Sequence, residues 1–248
     1  MQQDRSTHTP GTGTLYVIGT PIGNLSDVSF RVLEMLKTVN LIAAEDTRRT
    51  RKLLSHFDIH TPMTSCFAHN EQYKAIELLG KLKNGMNIAL VTSAGMPGIS
   101  DPGSHIVAAA IQKQLRVVPI PGPCALTLAL VASGLPTARF VFEGFLGRTK
   151  KTRLARLREL VHEQRTIILY EAPHRIRKTL ADIGAVLGDR EITVARELTK
   201  KHEEIIKGTI SELEALFETR RPLGEFTLVI RGADSTRVSA PSQPREKQ

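Results

Sequence analysis

Four short stretches carry residue types that do chemistry only when the backbone is bent sharply or when like groups are crowded together. TSAGMPGISDPG (92–103) follows the apolar run Ile88, Ala89, Leu90 and Val91, and it places Gly95, Pro97, Gly98, Pro102 and Gly103 within nine residues. Such a loop turns tightly and can present main-chain amides to a ligand lying against it. GTPIGN (19–24) and PGPCA (121–125) are of the same kind and also follow apolar runs. Glu45 and Asp46 end a fourth run, LIAA (41–44), and lead into TRRTRK (47–52) with its four cations. Carboxylates at a strand end suit proton removal, and crowded arginines suit phosphate. An acidic helix start followed by a solvated basic face is the plainer account of residues 45–52. A strand–helix loop holding nothing is the plainer account of 92–103, although its Gly and Pro content exceeds what a turn needs.

Loops of this kind need strands to fix them. The run at 88–91 fits a strand buried on both faces of a parallel sheet, and 15–18, 41–44 and 117–120 repeat the pattern. Helical spacing occupies 28–36, 71–82 and 104–114, and PGPCA opens a further helix through Val131, whereas 60–70 shows no period. Strand, glycine or proline loop and helix in alternation predict an open α/β sheet whose ligands sit at the C-terminal strand ends. SGLP (133–136) reads as a junction between an N-terminal α/β domain, 14–133, and a smaller mixed α/β domain, 134–233. Strands are expected in the latter at 140–143, 166–170, 192–196, 205–209 and 226–231, with helices near 154–161, 175–187 and 211–217. Residues 1–13 and 234–248 are rich in Thr, Ser, Pro, Gln and charge and read as flexible tails.

Composition narrows the class. The 248 residues hold two cysteines, Cys66 and Cys124, without a C-x-x-C pair, which points to a reducing, cytoplasmic setting and away from structural zinc. The histidines are scattered, with His56 and His60 the only pair at helical spacing, so no metal is expected. No apolar run reaches the length of a membrane span, and the N-terminus lacks the apolar core of a signal peptide. Thirty-four Lys and Arg against twenty-five Asp and Glu leave a net charge of +9, which favours a polyanionic partner. The densest cationic block is Arg148, Lys150, Lys151, Arg153, Arg156 and Arg158, with no acid until Glu159. Leu154, Leu157, Leu160 and Val161 share one helical face, so the cations are expected to flank it and project outward. A merely solvated helix face is the alternative; if RNA binds there, phosphate contact outweighs stacking because aromatics are few.

Taken together, GTPIGNLSDVSFR (19–31), AEDTRRT (44–50), TSAGMPGISDPG (92–103), PGPCA (121–125), EGFLGR (143–148), YEAPHR (170–175), ARELTKKHEE (195–204) and LGEFTLVI (223–230) closely resemble the ribosomal RNA small subunit methyltransferase I family. That family belongs to the tetrapyrrole methylase superfamily, and the resemblance runs in order through 14–233. It implies a two-domain tetrapyrrole methylase-like fold, an open and mostly parallel sheet followed by the smaller mixed domain. It further implies S-adenosylmethionine folded between the domains, no metal, a homodimer, and 2′-O-methylation of a cytidine in the decoding region of small-subunit rRNA, free or assembled. The cofactor would fall to Gly19, Pro21, Gly23, Ser93, Ala94, Gly95, Met96, Gly98, Asp101, Pro121, Gly122, Cys124 and Ala125, with Glu171, Ala172 and Glu197 from the second half. The central loop departs from the family's usual S-D-A-G-T-P, having Ser93 for an acid and Met96 for a hydroxyl. An acid at 93 could pair with a cationic cofactor, whereas serine offers one neutral hydrogen bond. Gly147 stands where proline is common, which is expected to loosen the approach to the basic block.

Methyl transfer from a sulfonium to a ribose hydroxyl is an in-line displacement in which alignment alone can contribute on the order of 7–11 kcal/mol. The hydroxyl must also lose its proton, so a carboxylate or lysine should assist. Glu45, Asp46, Glu197, Lys200 and Glu225 are the candidates, with Asp46 first, then Glu45 and Lys200. Arg48, Arg49, Arg148, Lys150, Lys151, Arg153, Arg156, Arg175 and Arg196 would hold RNA. Two other functions compete. A tetrapyrrole C-methyltransferase would also meet an anionic substrate, although the EGFL and ELTK segments favour RNA. A non-catalytic RNA-binding or ribosome-associated member would follow if Ser93 has weakened cofactor affinity.

Overall fold

The structure, a computed structural model, describes residues 11–234, so most of the two segments expected as tails lies outside the described residues. Gly13, which ends the first of them, is buried and donates its N–H to Leu82 O at 2.7 Å. The chain forms two compact units. The first runs through Leu128 and also holds Leu198–Lys201; the second comprises Ala129–Glu197 and resumes at His202.

The first unit is built from β1 (Thr14–Ile18), α1 (Phe30–Thr38), β2 (Leu41–Ala44), α2 (Thr47–His56), β3 (Met63–Ser65), α3 (Glu71–Lys83), β4 (Ile88–Val91), α4 (Ser104–Gln112) and β5 (Arg116–Ile120). Its five strands form one sheet in the order β3-β2-β4-β1-β5, parallel at every pairing. Alternation along the inner strands divides the core in two. Leu15, Val17, Ile88 and Leu90 pack with Leu78 and Leu82 of α3 and Ile106 and Ala110 of α4, while Ile18, Ala89 and Val91 pack with Val32 and Leu36 of α1 and Leu53 and Leu54 of α2. Each fully buried Leu or Ile contributes about 1.5–3 kcal/mol. The neighbours β1 and β4 therefore send their following helices to opposite faces, which opens a crevice at their C-terminal ends. Helix α1 begins at Phe30, two residues past the expected start, because Ser29 Oγ accepts from Val32 N–H at 3.2 Å and caps the turn. Strand β3 is the element that periodicity missed. Three partly exposed residues at a sheet edge are too few to show alternation, and pairing with Ile42, Ala43 and Ala44 alone makes them a strand.

Helix α5 (Ala125–Ser133) leads into the second unit, which contains β6 (Phe140–Phe145), α6 (Lys150–Glu159), β7 (Thr166–Glu171), α7 (Ile176–Leu187), β8 (Glu191–Arg196), β9 (Glu204–Thr209), α8 (Ile210–Thr219) and β10 (Phe226–Ile230). The sheet order is β6-β7-β10-β8-β9, with β6 and β7 parallel and the rest antiparallel. Leu157, Ile183, Phe217 and Leu228 are among the residues that close its core. A bulge between Phe142 and Gly144 interrupts β6 at Glu143. A capping box, Thr209 with Glu212, fixes the start of α8.

Candidate active site

The loops that follow β1, β4 and β5 converge. Thr20 and Gly95 exchange backbone hydrogen bonds, N–H to O at 2.9 and 3.0 Å, and Gly19 N–H donates to Ile120 O at 3.1 Å. Thr20 Oγ1 adds a bond to Thr92 O at 3.2 Å. Gly19 and Gly122 touch backbone to backbone, since a Cβ on Gly19 would lie 2.7 Å from Gly122 Cα and 2.5 Å from Met96 Sδ. Met96, where the family pattern has a hydroxyl, thus fills the space above Gly19. Gly95 and Gly98 have φ near +80°, a conformation in which a side chain is strained. The far end of the 92–103 loop is held by Glu71, a buried carboxylate that accepts from Gly103 N–H at 2.9 Å and His105 N–H at 3.1 Å. Reasoning from sequence missed Glu71. Its one signal was an acid opening a helix whose remaining buried positions are Ala75, Leu78, Leu79 and Leu82.

Glu45 and Asp46 lie at the end of β2, in the same unit. Glu45 N–H donates to Val91 O at 3.1 Å, and Glu45 Oε2 accepts from Ser93 N–H at 2.8 Å and Ser93 Oγ at 2.6 Å. Ser93 is therefore occupied by a neighbouring carboxylate, a donation that an ionised acid at 93 could not make. Asp46 caps α2: its Oδ1 accepts from Arg48 N–H at 2.8 Å and Arg49 N–H at 3.3 Å. Those amide bonds, first that of Arg48 and then that of Arg49, hold the Asp46 carboxyl below the ordinary carboxylate range. Lys200 belongs to this unit as well, and its stem covers Gly23 so closely that a side chain at 23 would collide with it. Pro21 and Asp101 are half-buried and Pro121 is exposed on the same loops, while Cys124 and Ala125 open α5, with Cys124 O accepting from Thr127 Oγ1 at 2.9 Å. The first unit thus brings together all of the candidates on the 19–24, 45–46, 93–101 and 121–125 segments, plus Lys200. The arrangement fits a cationic ligand such as S-adenosylmethionine: Gly19 and Gly122 let the two loops pack backbone to backbone, and Glu45 and Asp46 supply negative charge at the neighbouring strand end.

The candidates of the second unit are mostly engaged with one another. Glu171 is buried at the end of β7, accepts from Ala172 N–H at 2.7 Å and Thr179 Oγ1 at 2.5 Å, and lies 3.2 Å from Arg175 Nε. Arg175 also donates to Leu146 O at 2.7 Å, tying YEAPHR to EGFLGR. Arg196 pairs with Glu204 at 3.2 Å and donates to Leu223 O. Glu197 takes φ 51° and accepts from Glu225 N–H through Oε1 at 2.9 Å. The basic block needs correction. Arg153 does not project outward: it is 5% exposed and binds Asp182, with Nε at 2.6 Å and Nη2 at 2.5 Å from Oδ2. The helical phase that buries Leu157 buries position 153 four residues earlier, and Asp182 on α7 compensates its charge. Arg156 is exposed but held by Glu143, at the β6 bulge, and by Glu159. Arg148, Lys150 and Lys151 are exposed. Gly147 packs against Thr152 near the start of α6, where an added Cβ would collide with the Thr152 side chain.

Among the described residues no cluster of three or more His, Cys, Asp or Glu could hold a metal ion, and no helix is long and apolar enough to cross a membrane.

Comparison with known proteins agrees with this architecture. Residues 14–214 match the family model of Tetrapyrrole (Corrin/Porphyrin) Methylases. The chain is 55% identical over 222 residues to the ribosomal RNA small subunit methyltransferase I of Synechocystis sp., covering 89% of this chain and 80% of the relative. It is 48% identical over 231 residues to the Bacillus subtilis protein of the same name, covering 93% and 79%. With the Thermotoga maritima protein of that name the identity is 46% over 222 residues, 90% of this chain and 100% of the relative. Among solved structures, diphthine synthase superposes with a TM-score of 0.65 at 16% identity, over 88% of this chain and 89% of that one. A uroporphyrin-III-C-methyltransferase from Thermus thermophilus gives a TM-score of 0.58 at 16% identity over 88% and 94%, a likeness of fold alone.

Proposed function

The chain belongs to the ribosomal RNA small subunit methyltransferase I family within the tetrapyrrole methylases, and from that premise we propose that it methylates the ribose 2′-hydroxyl of a cytidine in the decoding region of small-subunit rRNA. The observation that carries the site is the convergence of the three strand-end loops through Thr20 and Gly95. Bound there, S-adenosylmethionine would supply an electrophilic methyl group, with its thioether as the leaving group, for in-line transfer to the ribose oxygen. The chain's part is to position, to hold charge and to take a proton. Gly19, Gly122 and Gly95 keep the main chain close, Glu45 fixes Ser93, and Glu71 fixes the far end of the loop. Asp46, Glu45 and Lys200 are the groups to which the hydroxyl proton is assigned. Asp46 is ionised at neutral pH but weakened as a base by the amide bonds that its Oδ1 accepts. A homodimer acting in the cytoplasm completes the reading.

Transfer of tritiated methyl to small ribosomal subunits lacking the modification tests it. Label recovered as 2′-O-methylcytidine is the expected result. Label only on a tetrapyrrole acceptor, or none on RNA, would overturn the proposal.

A further inference from the structure

Of the two basic helices, α6 turns out to spend much of its charge internally, on Asp182, Glu143 and Glu159. Helix α2 does not. Its sequence, TRRTRKLLSH, contains no acid, and Arg48, Arg49, Arg51 and Lys52 are all exposed. Thr50, Leu53 and Leu54 are its buried residues, and Leu53 and Leu54 anchor the helix in the core of the first unit. The opposite side carries Arg48, Arg51, Lys52, Ser55 and His56, which line one shallow, open depression. Their spacing of i, i+3, i+4, i+7 and i+8 puts all five on one face. Over those eight steps the helix rises roughly 12 Å.

The helix is also rigidly coupled to the candidate site. Its N-cap is Asp46, and the residue before that cap, Glu45, accepts two hydrogen bonds from Ser93. The acid paired with this face is Asp46, whose Oδ1 is 3.7 Å from Arg48 Nε and already accepts two amides. Among the described residues Arg51 and Lys52 form no ion pair, so their charge is available to a partner. Two guanidinium forks, an ammonium and a hydroxyl on a fixed cylinder suit phosphate oxygens, because arginine binds them in a bidentate manner and all four groups donate.

We infer that this face of α2 is the surface on which the RNA backbone docks, with Arg48, Arg51 and Lys52 as its phosphate contacts and Ser55 and His56 as flanking donors. The inference rests on the reading of the protein as an RNA methyltransferase. Contacts here set register: the backbone of the substrate strand lies along α2, and Asp46 and Glu45 at its start face the reacting ribose.

The test is the full chain carrying Arg48→Ala, Arg51→Ala and Lys52→Ala. Alanine favours the helix, so the fold should persist. Affinity for a single-stranded small-subunit rRNA fragment is measured across salt concentrations, with cofactor heat and methyl transfer measured alongside. The dependence of log affinity on log salt should flatten by about 2, at about 0.7 for each of three phosphates. Transfer should fall while cofactor heat is unchanged. The double variant Arg51→Gln and Lys52→Gln leaves Asp46 and its pair intact and should flatten the slope by about 1.4 on the same count. A wild-type slope and affinity in both variants would overturn the surface. Absence of wild-type transfer to RNA would instead remove the function on which the surface depends, and the two failures are separate readouts.

Discussion

Replacing Gly122 with Ala tests the convergence of the loops directly. The added carbon would sit 2.5 Å from Gly19 O and 2.7 Å from Gly19 Cα, whereas carbon contacts settle near 3.5–4.0 Å. Roughly 1 Å must then open between two strand-end backbones. Neither partner is the free end of a side chain, so the strain cannot be relieved by a rotamer change. Forced overpacking of this kind costs about 1–3 kcal/mol, and here it acts beside the point where Thr20 and Gly95 exchange hydrogen bonds. If the bound state needs the close approach, most of that cost appears in binding. Every 1.4 kcal/mol is a factor of about ten, so S-adenosylmethionine should bind roughly ten- to a hundredfold more weakly. Calorimetric titration of the cofactor gives the affinity and thermal unfolding gives the stability. Gly80→Ala is the control: it lies within α3 with nothing within 4 Å of the new carbon, so it should stabilise the chain by about 0.5–1 kcal/mol and leave cofactor affinity alone. Wild-type cofactor affinity in Gly122→Ala would refute the claim that these loops close on the ligand.

Breaking the buried pair by Arg153→Ala should cost about 3–5 kcal/mol in denaturant unfolding, because Asp182 is left charged and uncompensated, while the double change Arg153→Met, Asp182→Leu should be close to neutral; a stable single variant with weakened RNA affinity would return Arg153 to the surface. Asp46→Asn keeps a good N-cap but cannot take a proton, and Asp46→Ala loses both properties and lowers helix stability. Loss of methyl transfer in both variants marks a base, whereas near-normal transfer in the asparagine variant marks a cap. The Asp46 carboxyl is held low in the folded chain, so its contribution is present above the ordinary carboxylate range and should fade as pH falls through its folded value, which helicity and melting temperature measured across acid pH would report. Ser93→Ala removes a hydrogen bond to a charged acceptor worth about 1.5–3 kcal/mol when dry and less at this half-exposed site, and amide exchange in residues 93–95 should rise with it; unchanged exchange would mean that Ser93 N–H alone holds Glu45. Burial pushes the Cys66 thiol up to about 11, so iodoacetamide at pH 8 should modify Cys124 and spare Cys66 until the chain unfolds, as peptide mass spectrometry would show.

Much of this molecule is written in local pattern. The apolar runs at 41–44 and 88–91 coincide with β2 and β4 because strands buried on both faces leave no room for polar residues. The loops at 19–24, 93–103 and 121–125 declared themselves through glycine and proline, which favour such turns, and glycine alone gives the bare backbone contact that Gly19 and Gly122 make. What no local pattern contains is which groups meet across the sheet. That Ser93 would face Glu45 depends on β2 and β4 lying side by side, an adjacency set by strand order over 48 residues of separation. That Glu71 would close the far end of the same loop is likewise a contact between elements. The basic block shows the same division in reverse: Arg148 to Arg158 read as one cationic surface, and only the packing of α6 against α7 set Asp182 beside Arg153 and took that charge inside. Periodicity reports which side of an element is buried. Coulombic pairing depends on what the fold brings to the other side of the gap, so the meaning of each charge was decided by tertiary structure.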